Sequence, residues 1–435
     1  MSIRQLFLAV SLAIALPAGA QGKVAPTPTP APPTVLSLAL ALQAARSNLD
    51  VSLVRRSLAA AQADVLAADH APAPVLSAKA SSIDLQNGIG SGNLITRKRV
   101  DKGIGLDWTW ERGNKRALRT LAAQRSAAAA EADVDDTLVQ QQLATSSAFF
   151  DLLAAQERIE QVGAIARSAE QLASTAARRV KAGDLAAQDA ARTEIEAERA
   201  QSDLLTAQLD RQRAALALGQ LTGLASSDTL VAQPDWPARN ADAAIIDVST
   251  FQSVEGRAEV RAALQRVEAA QAALDVASAQ KKADITLGSS FDHFPGVSNR
   301  LVELRMQIPL HGIFGGYNFQ GEIARALAQL ELAQDTLEKT RRSASFDLQR
   351  LQQDKQGAAA RALSYESTIL PRARKLADMA ELAYSKGAMS LTELIDARRT
   401  LRTILLDALA ARTEYAKADQ AWQLRLPQNQ SAPAQ

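Results

Sequence analysis

Two spacings of apolar residues run along this chain, and they occur in the same order twice. Leu and Ala recur at three- and four-residue spacing over residues 36–70, which predicts a helix ended by Ala71-Pro72-Ala73-Pro74. The period then drops to two. Residues 75–86 alternate weakly and residues 99–110 alternate well. Val100, Ile104, Leu106, Trp108 and Trp110 fall on one face of this second strand, and Arg99, Asp101, Asp107 and Thr109 on the other. Lys102 is the exception on the apolar face, and the Gly, Ser and Asn of residues 87–93 form the loop between the strands. Helical spacing resumes near residue 114 and runs without proline to 180, with Gly163 its only internal glycine. Such a helix is roughly 100 Å long. It breaks at Lys181-Ala182-Gly183, and another helix follows over 186–221, closed by Thr222-Gly223.

The second half repeats this order. Residues 256–282 read as helix, then 285–294 as a strand with Ile285, Leu287 and Phe291 on one face. Residues 301–310 alternate most sharply: Val302, Leu304, Met306, Ile308 and Leu310 face one way, Glu303, Arg305 and Gln307 the other. A helix over 320–385, with the single Pro371, breaks at Ser385-Lys386-Gly387 and is followed by a helix to about 424. Six residues past each turn glycine stands a carboxylate, Asp189 and Glu393. The chain is therefore expected to be mainly α with some β, built on an internal two-fold repeat. Residues 36–224 form the first unit and 256–425 the second, joined by a connector at 225–255 with Pro234 and Pro237. Residues 426–435 form a disordered tail.

The start of the chain adds a compartment. Residues 1–20 read as a signal peptide, with Arg4, an apolar run over 6–16 and the small residues Ala18-Gly19-Ala20. The Pro-rich stretch 21–35 is an extended linker. No later stretch approaches the ~18 consecutive apolar residues of a membrane helix, so entry into a membrane would require a barrel. The chain has no cysteine, which excludes a disulfide framework and a lipid carried on cysteine. A net charge of +2 is too balanced to suggest nucleic acid. With aromatics at only 4%, Ala dominates the apolar fraction, which favours layered or tubular helix packing over a thick core.

A strand with one apolar and one charged face suits either a sheet over a soluble core or a membrane barrel. The strands here approach the ~9–11 residues a membrane strand needs. Trp108 and Trp110 end one strand, and Phe314 and Tyr317 follow another, as aromatics at the periplasmic interface do. Phe291 and Phe294 would mark the outer interface. Four strands cannot close a membrane barrel, whose smallest forms have about eight, so the protomer must oligomerise. Two copies give eight strands and three give twelve; periodicity does not choose. His70, His293 and His311 share no metal-ligand spacing, and there is no Cys nucleophile, Walker loop or HExxH motif. Neither an enzyme nor a cofactor is expected.

The second turn reads Tyr384-Ser385-Lys386-Gly387-Ala388-Met389-Ser390 and continues Leu391-Thr392-Glu393-Leu394-Ile395-Asp396-Ala397. With the junctions GIGLDWTWERGNKRALR (103–119) and MQIPLHGIFGGYNFQGEIARA (306–326), it resembles the TolC family of outer-membrane efflux proteins, over nearly all of the mature chain. The run Glu111-Arg112-Gly113-Asn114-Lys115-Arg116 is similar to the branch that partners cobalt-zinc-cadmium type exporters. The resemblance implies a homotrimer in the outer membrane of a Gram-negative bacterium. Its twelve strands would form one transmembrane β-barrel, continuous with an α-helical periplasmic barrel. The partners it implies are outer-membrane lipid, a periplasmic adaptor and an inner-membrane transporter. The same architecture also serves organic drug efflux and type I protein secretion. A soluble periplasmic coiled-coil adaptor is the rival of a different class, and it leaves the apolar strand faces without a use.

Site residues follow from the resemblance. Lys181, Ala182, Gly183, Asp184 and Leu185, with Ser385, Lys386, Gly387, Ala388 and Met389, would form the tip that docks the adaptor. Leu185 and Met389 are expected there as exposed apolar contacts. Glu393 and Asp396, three apart on one helix face, would form stacked carboxylate rings at the closed aperture of a trimer, raising one another's pKa values. Tyr384 and Asp189 match latch positions of the family. Met389 stands where the family's latch has an arginine, so that salt link is absent.

Overall fold

The computed structural model describes residues 34–88, 90–91, 99–224, 230–238, 254–295, 298–311 and 316–426. The expected signal peptide, most of the linker and connector, Phe314 and residues 427–435 lie outside the described residues. The elements in chain order are β1 (Thr34–Leu36), α1 (Leu38–Ala45), α2 (Leu49–Ala68), β2 (Val75–Ser81), β3 (Asp101–Trp110), α3 (Lys115–Lys181), α4 (Ala187–Thr222) and β4 (Leu230–Ala232). Then come α5 (Ala258–Ala279), β5 (Ile285–Phe294), β6 (Ser298–Gln307), α6 (Gln320–Ser364), a π-helical turn (Tyr365–Ile369), α7 (Leu370–Ser385) and α8 (Leu391–Arg425).

Helix α3 runs 67 residues without interruption. Its first half lies beside α2 and α5, tied by Gln141 to Asp50 and by Arg261 and Arg266 to Asp135 and Asp133. Its second half lies beside α4 and α8, tied by Arg158 to Asp210 and by Lys417 to Asp151. Pro371 shapes the corresponding helix of the second unit. It has no N–H to continue the ladder, and the preceding turn widens so that Leu370 N bonds back to Tyr365 O.

The core sits at a waist near the middle of α3. Phe149, Phe150 and Leu152 are fully buried there among Leu36, Leu218, Leu230 and Ala416. Each such side chain stabilises the fold by about 1.5–3 kcal/mol. Trp236 stacks on Phe150 at 6.0 Å, and the Arg412 guanidinium lies 4.5 Å over the Trp236 ring. Away from the waist, the seams are built largely from alanine, as where Ala358 and Ala362 meet Ala411 and Tyr415.

Several boundaries differ from the sequence reading. The expected helix over 36–70 is two helices, because Ser37 and Asn48 each cap a new start, accepting from Leu40 N at 3.3 Å and Asp50 N at 2.8 Å. β1 pairs in parallel with β4 inside the expected connector, and Gln156 holds β4 through both of its amide atoms. β2 stops at Ser81, since Ser82 takes a left-handed φ of 60° and Asp84 accepts from the amides of Gln86 and Asn87. β6 spans Ser298–Gln307 and not 301–310, because Pro309 has no N–H to offer a ladder.

Candidate functional site

The second sheet is antiparallel in the order β2-β3-β5-β6. Its two faces follow from its register. Ile104, Leu106, Trp108 and Trp110 share the outward face with Leu76, Leu287, Phe291, Val302, Leu304 and Met306. All of these are exposed, and Leu304 reaches 82%. Among the described residues no protein layer covers them, so this face is apolar and bare. Of the expected interface aromatics, Trp108, Trp110, Phe291 and Tyr317 are exposed, at the strand ends and the junction beyond β6. Phe294 is not among them. Its ring lies on the inward face, 5.9 Å beneath the Lys79 ammonium.

The inward face is polar and organised around glycine. Lys79, Gly103 and Asp292 are register partners on β2, β3 and β5, and Lys79 Nζ meets Asp292 Oδ1 at 2.8 Å across the glycine. Asp107, Gly288 and Arg305 form an equivalent row on β3, β5 and β6, where Arg305 Nη2 meets Asp107 Oδ1 at 2.6 Å. Between them lies Ser77–Gly105–Ser290, where a Cβ on residue 105 would stand 2.8 Å from Ser77 Oγ. The sheet curls tightly enough that side chains from alternate strands meet over the middle one.

Where the sheet meets the helices, the charged run at 111–116 is consumed by structure. Lys115 Nζ donates to both oxygens of Asp284 at 2.9 Å, and Arg112 N donates to Asp284 Oδ1 at 3.0 Å. Arg119 joins Glu111 to the carbonyls of Ala68 and His70 at the end of α2. In the second unit the Tyr317 hydroxyl accepts from Gly321 N at 3.0 Å and donates to Glu322, strapping the start of α6. Asn114 and Phe319, just before α3 and α6, both take left-handed backbone at φ 56° and 60°.

The two turns at the far end of the long helices have the same backbone. Gly183 and Gly387 take φ of 82° and 73°. Asp184 N donates to Arg179 O and Gly183 N to Val180 O; Ala388 N donates to Ala383 O and Gly387 N to Tyr384 O. These are paired Schellman closures that satisfy the last carbonyls of α3 and α7. Lys181, Ala182, Gly183, Asp184, Ser385, Lys386, Gly387 and Ala388 are exposed. Leu185 and Met389 are not. Both are half-buried against Ala380, Leu391, Leu394 and Ile395, because each turn folds its apolar residue onto the tip's own small core. The expectation that they project as free contacts is corrected accordingly.

Glu393 lies at the third position of α8 and Asp189 at the third position of α4. Glu393 is engaged in a capping box with Ser390, and the Ser390 amide, then its hydroxyl, hold the carboxyl below the usual range. Ala186 gives α4 no such cap. Asp396 is exposed and lies 3.7 Å from Arg399. Tyr384 accepts from Arg179 at 3.2 Å and lies beneath its guanidinium, which joins α7 to α3. Higher up, Arg192 reaches Thr392, Arg399 reaches Glu196, and Arg402 reaches Asp203 at 2.5 Å, so long side chains bridge α4 and α8. Beneath this ladder lies a cavity of about 360 Å³ lined by Ile165, Leu172, Ile395 and Leu405. The sequence reading missed the ladder, although Arg399 and Arg402 at three-residue spacing were visible members of it.

No group of three or more His, Asp and Glu side chains is arranged to hold a metal among the described residues. No described helix is long and apolar enough to cross a membrane.

The protomer thus carries an outward apolar sheet with an internally paired polar face on helices of this length. Residues 38–224 match the outer membrane efflux protein family. The chain is 27% identical over 361 residues to the cobalt-zinc-cadmium resistance protein CzcC of Cupriavidus metallidurans, covering 82% of each. Its fold matches a membrane protein from Pseudomonas aeruginosa (TM-score 0.76, 17% identity, 89% of this chain and 93% of that one). It also matches the outer membrane protein VceC of Vibrio cholerae (TM-score 0.74, 18% identity, 90% and 96%).

Proposed function

We propose that this protein is the outer-membrane channel and periplasmic exit duct of a tripartite pump that exports divalent heavy-metal cations. The observation that carries the reading is the two-faced sheet: bare and apolar outside, ion-paired inside. The metal cargo rests on the likeness to CzcC.

The protomer's edges support closure by copies of itself. In the upper half the helices form a row α2-α3-α5-α6, and the outer members carry exposed apolar residues. These are Leu49, Leu53 and Leu66 on α2, and Leu327, Leu332 and Phe346 on α6. In the sheet, β2 and β6 are likewise the unpaired edges. Two unlike edges that continue one another build a closed ring. Three copies of the four-stranded sheet give a barrel of twelve strands.

The duct is passive, and the partner pump supplies energy and selects cargo. The exposed turn residues Lys181 to Asp184 and Ser385 to Ala388 dock the periplasmic adaptor. Tyr384, Asp189, Glu393 and Asp396 border the aperture at that end. Deleting the gene tests the reading, with survival measured against zinc, cobalt, cadmium and hydrophobic drugs. Metal sensitivity restored by complementation supports it; sensitivity to drugs alone keeps the channel and removes the metal cargo.

A further inference from the structure

The outward face of the sheet changes character at its loop end. Two residues beyond the apolar row Ile104, Phe291 and Val302 stand Lys102 on β3 and His293 directly opposite it on β5. Arg300 on β6 is exposed and lies in the register shift that faces His293. A bulge of this kind sets two residues of one strand against one of its neighbour. All three basic residues follow the alternation that places Ile104, Phe291 and Val302 outward. No Asp or Glu occupies an outward position on any of the four strands; Asp101, Asp107, Asp292 and Glu303 all alternate inward. Among the described residues the Lys102 ammonium is buried and has no hydrogen-bond partner. A cation held against a sheet without a partner is costly, and its flexible stem lets it turn outward to meet an anion.

We infer that Lys102, His293 and Arg300 form a binding band for the phosphates of the phosphorylated glycolipid, lipid A, in the outer leaflet. This rests on the outer-membrane reading above. The geometry favours a lipid phosphate over a soluble anion. The three basic residues stand about 7 Å above the row of Ile104, Phe291 and Val302, two residues along the strands. One molecule can therefore set its phosphates on the band and its acyl chains against the apolar row. In a closed barrel the band repeats once per protomer around the rim.

The full chain is purified from outer membranes in mild detergent, and bound lipid A is counted by native mass spectrometry. Replacing Lys102→Gln and Arg300→Gln lowers retention by about five-fold per charge removed. Lys102→Arg with Arg300→Lys restores it, and Arg372→Gln with Lys375→Gln, on exposed helix α7, leaves it unchanged. A second measurement needs no variant. The thermal midpoint of the wild-type protein in phosphatidylethanolamine vesicles rises on adding lipid A and does not rise with dephosphorylated lipid A. Equal retention by the Gln variant, or equal shifts with the two lipids, overturns the band. Membrane fractionation separates this from failure of the wider reading: wild-type protein absent from the outer-membrane fraction overturns both, whereas its presence there with unchanged lipid retention overturns only the band.

Discussion

Asp107 and Arg305 sit on strands that are not neighbours, yet their side chains meet at 2.6 Å over the glycine that separates them. A Cβ on Gly288 would overlap Asp107 Oδ1, and one on Gly103 would overlap Asp292 Oδ1 in the companion row. Gly288→Val and Gly103→Val are therefore expected to break these pairs and leave a charge without its partner. The loss is read as a lower thermal midpoint. Gly357→Ala is the control. Its Cβ meets nothing within 4 Å on an ordinary helix, and it is expected to be neutral or slightly stabilising.

The two sheet faces should respond oppositely to charge. Leu304→Arg, on the outward face, is expected to cost about 2–4 kcal/mol in a bilayer and to reduce recovery in the outer-membrane fraction. Glu303→Gln, one residue along and inward, should leave recovery intact. Equal recovery of both variants would remove the assignment of the outward face to lipid.

The waist is the fold's most heavily packed region. Phe150→Ala removes a fully buried ring that contacts both Phe149 and Trp236, and is expected to cost about 3–5 kcal/mol in denaturant unfolding.

The cap on α8 predicts a pH step. The Glu393 carboxyl is held below its ordinary value by the Ser390 amide and hydroxyl. A carboxylate depressed in the folded state contributes stability above its unfolded pKa of about 4.3 and loses it as pH falls through the folded value. Hydrogen exchange should show the first turn of α8 equally protected at neutral and mildly acidic pH, then opening as pH falls below the ordinary carboxylate range. The first turn of α4, with Ala186 at its cap position, should show no capping step. Ser390→Ala should weaken the α8 end by about 1 kcal/mol at neutral pH.

At the tip, the half-buried Leu185 makes a poor probe of docking, since Leu185→Asp would disturb the tip core itself. Lys386→Glu with Lys181→Glu changes only exposed residues, and is expected to abolish cross-linking to the adaptor and to lower metal resistance while leaving the thermal midpoint unchanged. Asp396→Asn should alter cation selectivity in single-channel recordings more than Glu393→Gln, because Glu393 is already engaged by its own cap.

Much of this architecture could be read from periodicity. The alternation of Val302, Leu304 and Met306 and the glycine turns at 183 and 387 are local signals, and they stand in the structure as a strand and two helix ends. What was hidden depended on distance in sequence or on curvature. The β1–β4 pair joins residues almost two hundred positions apart, in segments too short to show a period. The break at Asn48 was visible only as a cap residue inside a continuous apolar pattern. The glycines at 103, 105 and 288 look like weak points in their strands until the curl brings side chains across them. Leu185 and Met389 misled because hydrophobicity at a turn does not say whether the turn folds inward.

The rows across Gly103 and Gly288 also bear on what a passing ion experiences. Each strap ties a positive group to a negative one on the same wall, so a distant cation meets opposed dipoles whose fields cancel within a few ångströms. Asp101 and Glu303 lie on the same inward face outside the two straps, so the charge of that face is set by these two carboxylates and not by the paired rows.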